Sequence, residues 1–156
     1  FQWATRAEDR HRILKARHDA SPASLQMNPG CKPVTSDVCV PISRLAQCIA
    51  ETERLLASES IPSIILGHVG DGNFHVLFMP QADDPEGIAT AQQVNQQIID
   101  LALSMEGTCT GEHGIGMGKI DYLLKEHPTA VPVMRQIKAA LDPQDLFNPG
   151  KIVPIR

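Results

Sequence analysis

"IPSIILGHVGDGNFHVLFMP", residues 61–80, is the stretch that decides how this chain folds. Two apolar runs rich in Ile, Val and Phe flank a Gly-Asp-Gly turn, which reads as a β-hairpin. Alternation puts Ile64, Leu66 and His68 on one face of the first strand. It puts His75, Leu77 and Met79 on one face of the second. Pairing Leu66 with Leu77 sets His68 directly opposite His75, and opposed residues hold their Cβ atoms about 4.5–5.5 Å apart. Two imidazoles so placed can meet on one metal ion, or can be two satisfied histidines at a strand end. Loop 69–73 carries two glycines, which permit positive φ and bring Asn73 close to the pair.

The segments on either side read mostly as helix. Residues 3–19 are charge-rich with Ile13 and Leu14 inside, a helix with a solvated face. Residues 21–33 hold three prolines and a glycine and read as loop. "SDVCVP", 36–41, is a short strand ended by Pro41. A helix follows, with Ile42, Leu45, Ile49, Leu55 and Leu56 near one face and Pro41 at or just before its first turn. After the hairpin, residues 83–107 form a long amphipathic helix striped by Ile88, Ala91, Val94, Ile98, Leu101 and Met105, with Gly107 at its stop. Two shorter helices span 117–127 and 129–142, and an extended tail closes the chain. Antiparallel strands with helices on one face make the fold α+β.

A second stretch, "GTCTGEHGIGMGK" at 107–119, sets Glu112 and His113 among Gly107, Gly111, Gly114, Gly116 and Gly118. It is not a phosphate loop: His113 stands where the first glycine of G-x-x-x-x-G-K-[ST] belongs, and Ile120 where Ser or Thr belongs. The dinucleotide pattern fails too, because the spacing is G-x-G-x-G and the loop follows a helix. What remains is a backbone that presents a carboxylate and an imidazole. Neighbours in an extended loop point opposite ways, so the two are expected to do different jobs. Lys119 reads as solvated.

Composition narrows the function. A net charge of −4 and a pI near 5.8 argue against nucleic-acid binding. No run of about 18 apolar residues exists, so no membrane span is expected, and the location expected is the cytoplasm or the periphery of the inner membrane. Cys31, Cys39, Cys48 and Cys109 form no C-x-x-C pair and read as reduced thiols.

"GHVGDGNFH" (67–75), the glycine stretch and "DPQDLFNPGKI" (142–152), in that order, resemble the C-terminal part of the FAD-linked D-2-hydroxyacid dehydrogenases of the vanillyl-alcohol-oxidase type. "ARHDA" and "GCKPVTSDVCVP" are most similar to the cytochrome-linked D-lactate branch, and the glycolate oxidase flavin subunit is also similar. The resemblance implies a ferredoxin-like cap half followed by a C-terminal helical segment. Residues 1–106 would be cap or substrate domain, and 107–156 the glycine loop, helices and tail. It places the FAD-binding domain N-terminal to this chain, which begins without Met and is expected to be a piece that holds no FAD and oxidises nothing alone.

By position, the resemblance implies that His68, His75 and Glu112 bind a divalent metal, zinc or manganese. It implies that His113 is the general base, and that Arg17 pairs with a substrate carboxylate. Asn73 would lie by the substrate and Asn148 by the flavin. The implied reaction oxidises a D-2-hydroxy acid to the 2-oxo acid with hydride transfer to FAD, then passes electrons to cytochrome c or a quinone. Thr35 stands where the hydroxyglutarate branch has lysine, which favours D-lactate over D-2-hydroxyglutarate; glycolate is the other short candidate. The competing readings are a metal hydrolase with His113 or Asp71 as base, and a packing domain with no site of its own.

Overall fold

The computed structural model describes residues 3–154. In chain order these form α1 (Ala7–Met27), β1 (Val34–Thr35), β2 (Val38–Cys39), α2 (Ile42–Ala57), β3 (Ser63–His68), β4 (Asn73–Phe78), α3 (Pro85–Ser104), α4 (Ile120–Glu126) and α5 (Ala130–Leu141). The fold is α+β. β4 runs through the middle of an antiparallel sheet, with β3 on one side and β1 and β2 on the other. Among the described residues no helix is long and apolar enough to cross a membrane.

β1 and β2 are one edge interrupted. Both keep the same register on β4, with Thr35 across from Leu77 and Val38 across from Phe74. At the break the Ser36 amide donates to the Val76 carbonyl, and the Ser36 hydroxyl takes the Val76 amide in place of a carbonyl. The same register, carried through the break, sets Asp37 across from His75. The strand expected at 36–41 is therefore this interrupted edge at 34–39.

The hairpin forms as expected, with a different register and a tighter loop. Leu66 pairs with His75, Ile64 with Leu77, and His68 with Asn73, so Asn73 opens β4 rather than closing the loop. Leu66 does not pair with Leu77, and the two histidines are not directly opposed. The reason is the loop, four residues rather than five. Gly72, at φ +76°, lies so close to β2 that a Cβ there would overlap the Val40 carbonyl oxygen. The Val40 amide donates to the Gly72 carbonyl at 3.0 Å. This contact holds the turn against the neighbouring strand and fixes where pairing begins.

One sheet face builds the core. Phe74, Val76 and Phe78 of β4 and Val38 of β2 pack with Leu45 and Cys48 of α2 and with Ala91, Val94, Ile98, Ile99 and Ala102 of α3. α3 starts as its sequence asks: the Asp84 side chain accepts from the Gly87 amide, and Pro85 needs no partner for a missing N–H. Period 2 then delivers His75, Asn73 and Leu77 to the opposite face.

Two expectations fail at the ends. α1 runs on through Pro22 to Met27, where a loop was expected. A proline inside a helix forfeits one backbone bond and still leaves the remaining turns intact. Ser24 Oγ donates back to the Ala20 carbonyl and Asn28 Nδ2 to the Ser24 carbonyl, closing the last turn. The tail at 145–153 is a series of turns, not an extended strand: Asp145, Asn148, Gly150 and Ile152 all take positive φ. The Leu146 and Phe147 amides donate to the Asp142 carboxylate, and the Ile152 amide donates to the Gly116 carbonyl.

Candidate functional site

On the sheet face away from the core, Glu112 Oε1 is the hub of three imidazoles. It lies 3.0 Å from His75 Nε2, 3.5 Å from His68 Nε2 and 3.6 Å from His113 Nε2. Although not opposed, His68 and His75 sit diagonally on the same face, with ring centroids 6.1 Å apart and edge to face. One donor atom from each of His68, His75 and Glu112 falls within 4.8 Å of the others. The same holds for a second set, Asp37, His75 and His113.

His113 does not point away from Glu112, as adjacency in an extended loop suggested. Its ring stacks on that of His75, with centroids 4.9 Å apart and planes 7° from parallel. The chain is not extended here: Gly114 takes φ +73°, and the turn sends both neighbours toward β4. A Cβ on Gly111 would collide with the Asn73 amide, so only glycine lets this loop lie so low on the sheet.

Asp37 and Lys119 are the residues that sequence reasoning missed. Asp37 is 1% exposed. It accepts hydrogen bonds from Asn73 Nδ2 (3.1 Å), Thr110 Oγ1 (3.0 Å), the His113 amide (3.0 Å) and, more weakly, the Glu112 amide (3.2 Å). Lys119 is not solvated: its side chain is 17% exposed and Nζ sits 2.9 Å from Asp37 Oδ2. Burial alone would raise the Asp37 pKa, but the His113 amide, Lys119 and Asn73 outweigh it and hold the carboxyl well below its usual range. No local pattern marks this pair, because 82 positions separate its members.

A cavity of about 350 Å³ opens beside the cluster, lined by Arg17, Thr35, His68, His75, Glu112 and His113 among others. Arg17 Nη2 lies 2.6 Å from His68 Nε2. A guanidinium only donates, so it engages a lone pair that His68 would offer a cation. Asn73 is buried, with Nδ2 shared between Asp37 and the Val38 carbonyl; its Oδ1 is a buried acceptor with no partner. Asn148 is not brought to this site. It lines a separate apolar cavity with Leu141, Phe147 and Ile152. A larger depression of about 730 Å³ lies between Pro41, Gly107 and His127. Among the described residues it gathers no set of metal donors; its Glu126 carboxylate caps the Cys109 amide instead.

The residues fit a divalent cation. Both ring nitrogens of His75 are buried without a well-aligned hydrogen bond, although Glu112 is near. A buried imidazole left so is costly unless something else takes its lone pair. Two imidazoles and a carboxylate are also the donor types that borderline cations such as zinc prefer.

Residues 1–152 match the family described as "FAD linked oxidases, C-terminal domain". Among similar proteins, the chain is 49% identical over 156 residues to "Probable D-lactate dehydrogenase, mitochondrial" of Danio rerio, covering 99% of this chain and 31% of that protein. It is 41% identical to "D-lactate dehydrogenase [cytochrome], mitochondrial" of Arabidopsis thaliana, covering 99% and 27%. It is 31% identical to "Glycolate oxidase subunit GlcD" of Bacillus subtilis, covering 97% and 32%. The chain thus spans about a third or less of the length of these relatives. It belongs to the C-terminal domain family of the FAD linked oxidases.

Proposed function

We propose that this member of the FAD linked oxidase C-terminal domain family forms the substrate side of the active site in a D-2-hydroxy-acid dehydrogenase, with D-lactate as first substrate. The observation that carries the reading is the convergence of His68, His75 and Glu112 on one wall of a cavity that Arg17 and His113 also line. Zinc or manganese would be held by those three donors, and FAD by a domain preceding this chain. When bound, the cation supplies charge that makes a nearby hydroxyl more acidic, and the flavin supplies the two-electron acceptor.

The chain's own residues do the rest. Arg17 turns from His68 to grip the substrate carboxylate, for which its planar fork is suited. His113, stacked flat on His75, is fixed in the orientation at which its Nε2 reaches into the cavity and takes the hydroxyl proton. Asn73, buried beneath the substrate, supports the floor of the site through its amide bonds to Asp37 and the Val38 carbonyl. Asn148, remote from the cluster, serves the flavin side. Thr35 brings no positive charge to the cavity, so a second carboxylate gains nothing there. Electrons would leave the flavin for a cytochrome or a quinone.

The test uses the full-length polypeptide, loaded with FAD and assayed by dye reduction on D-lactate, glycolate and D-2-hydroxyglutarate, before and after removal of metal with a chelator. We expect kcat/KM to be highest for D-lactate and to fall when metal is removed. Higher efficiency on the dicarboxylate would refute the Thr35 argument. Turnover indifferent to the chelator would refute the role of the cluster.

A further inference from the structure

We propose that Asp37 and Lys119 are a positioning pair: the buried Asp37 carboxylate pins the backbone of Glu112 and His113 over His75, and Lys119 is the counter-charge that lets it sit there. The loop has little rigidity of its own, since Gly111, Gly114 and Gly116 all lie within it and the last two take positive φ. Something outside it must set where Glu112 and His113 stand. Both of their amides donate to the Asp37 carboxylate, and Thr110, two residues before Glu112, donates its hydroxyl. Asp37 itself sits in the break between β1 and β2, fixed by the pairing of both with β4. The anchor thus transmits the geometry of β4 to the loop.

The same carboxylate reaches the cluster from beneath. Asp37 Oδ1 lies 3.5 Å from His75 Nδ1, on the side opposite Glu112. The His75 ring thus stands between two carboxylates, Asp37 beneath it and Glu112 at 3.0 Å from Nε2. Asp37 also falls in a second donor set, with His75 and His113. Its oxygens, however, already accept from Asn73, Thr110, Lys119 and two amides, so their lone pairs are spent on protein donors. Lys119 completes the arrangement, for a carboxylate this buried is tolerated only when paired and fully hydrogen-bonded. Its Nζ also donates to Thr110 Oγ1 at 3.0 Å, tying the far end of the glycine loop to its start.

The role in the metal cluster rests on the function proposed above; the pinning of the loop does not. The experiment therefore reads the two separately, on the 156-residue chain and its Asp37→Asn, Lys119→Met and Lys119→Arg variants. Amide hydrogen exchange is measured without metal, and zinc affinity by calorimetry. In Asp37→Asn and Lys119→Met we expect the Glu112 and His113 amides to exchange at least about tenfold faster while β4 keeps its protection. Zinc should bind about 10–100-fold more weakly, the usual effect of losing a partner outside the ligand set. Lys119→Arg should recover most of both. If Asp37→Asn loses protection in β4 as well, it has unfolded and Lys119→Met decides. Unchanged exchange at Glu112 and His113 would overturn the pinning, and faster exchange with undiminished zinc affinity would overturn the positioning role. Faster exchange in a chain whose wild type binds no zinc would uphold the pinning and overturn the function proposed above.

Discussion

Replacing Gly111 by alanine places a methyl group where the structure has no room. Its Cβ would overlap Asn73 Nδ2 and stand 2.7 Å from Asn73 Cγ and 2.9 Å from Asp37 Oδ1, all closer than the 3.0 Å that real Cβ atoms respect. Two escapes exist. Asn73 can rotate away, giving up its bond to the Val38 carbonyl, about 1 kcal/mol, and its bond to the charged Asp37, about 1.5–3 kcal/mol. Alternatively the loop can lift, breaking the Glu112 and His113 amide bonds to a charged acceptor, about 1.5–3 kcal/mol apiece. The first is cheaper, and with residual overpacking the expected loss is about 2–4 kcal/mol. For a domain of this size 1 kcal/mol moves Tm by about 2–4 °C, so the melt should fall by roughly 5–15 °C. Gly118→Ala is the control in the same loop, since a Cβ there meets nothing within 4 Å. It should stay within about 1 kcal/mol of wild type in either direction. The assay is thermal unfolding by circular dichroism on both variants, with zinc affinity alongside. Gly111→Ala melting together with Gly118→Ala, and binding zinc like wild type, would refute the close approach of loop and sheet.

Other consequences can be measured directly. His75→Ala, followed by zinc or manganese calorimetry, should weaken binding by more than the roughly 10–100-fold that partners outside a ligand set are worth; equal binding would remove His75 from the site. In the full-length, FAD-loaded protein, His113→Ala should lower kcat about 10²–10⁴-fold with metal content unchanged. Loss of metal in that variant would favour the donor set of Asp37, His75 and His113 over that of His68, His75 and Glu112. Asp142 should titrate low, its pKa pulled to about 2 by Lys138 and by the Leu146 and Phe147 amides against the opposing effect of burial. Because the folded pKa lies below the unfolded value of about 3.9, its stabilising contribution is complete above that pH. It is lost as pH falls toward 2, and Asp142→Asn should remove this acid dependence, as followed by carboxyl carbon chemical shifts and melts across the range.

What the sequence by itself determined is the local order. Alternation in 61–80 specifies a hairpin with its histidines on one face, because period 2 is a property of the strand alone. The stripe of Ala91, Val94 and Ile98 specifies the helix that covers the other face, and all three are buried in the core. Antiparallel strands packed with helices then follow as an α+β fold, although α2 and α3 cover the core face while α1 borders the cavity on the other. Only the tertiary structure decided the register, because the turn is set by Gly72 lying against Val40, a contact across 32 positions that no local pattern encodes. For the same reason His68 and His75 meet diagonally rather than face to face, and still meet. α1 continues past Pro22 because a helix tolerates one missing bond when its next turn is closed by Ser24 and Asn28. Lys119 looks solvated in a glycine-rich loop, yet is buried, because its counter-charge Asp37 comes from another strand. The cluster's members could be named one by one from the sequence. That His113 stacks on His75, and that Asp37 holds the loop beneath it, are facts of packing between segments distant in the chain, where no periodicity reaches.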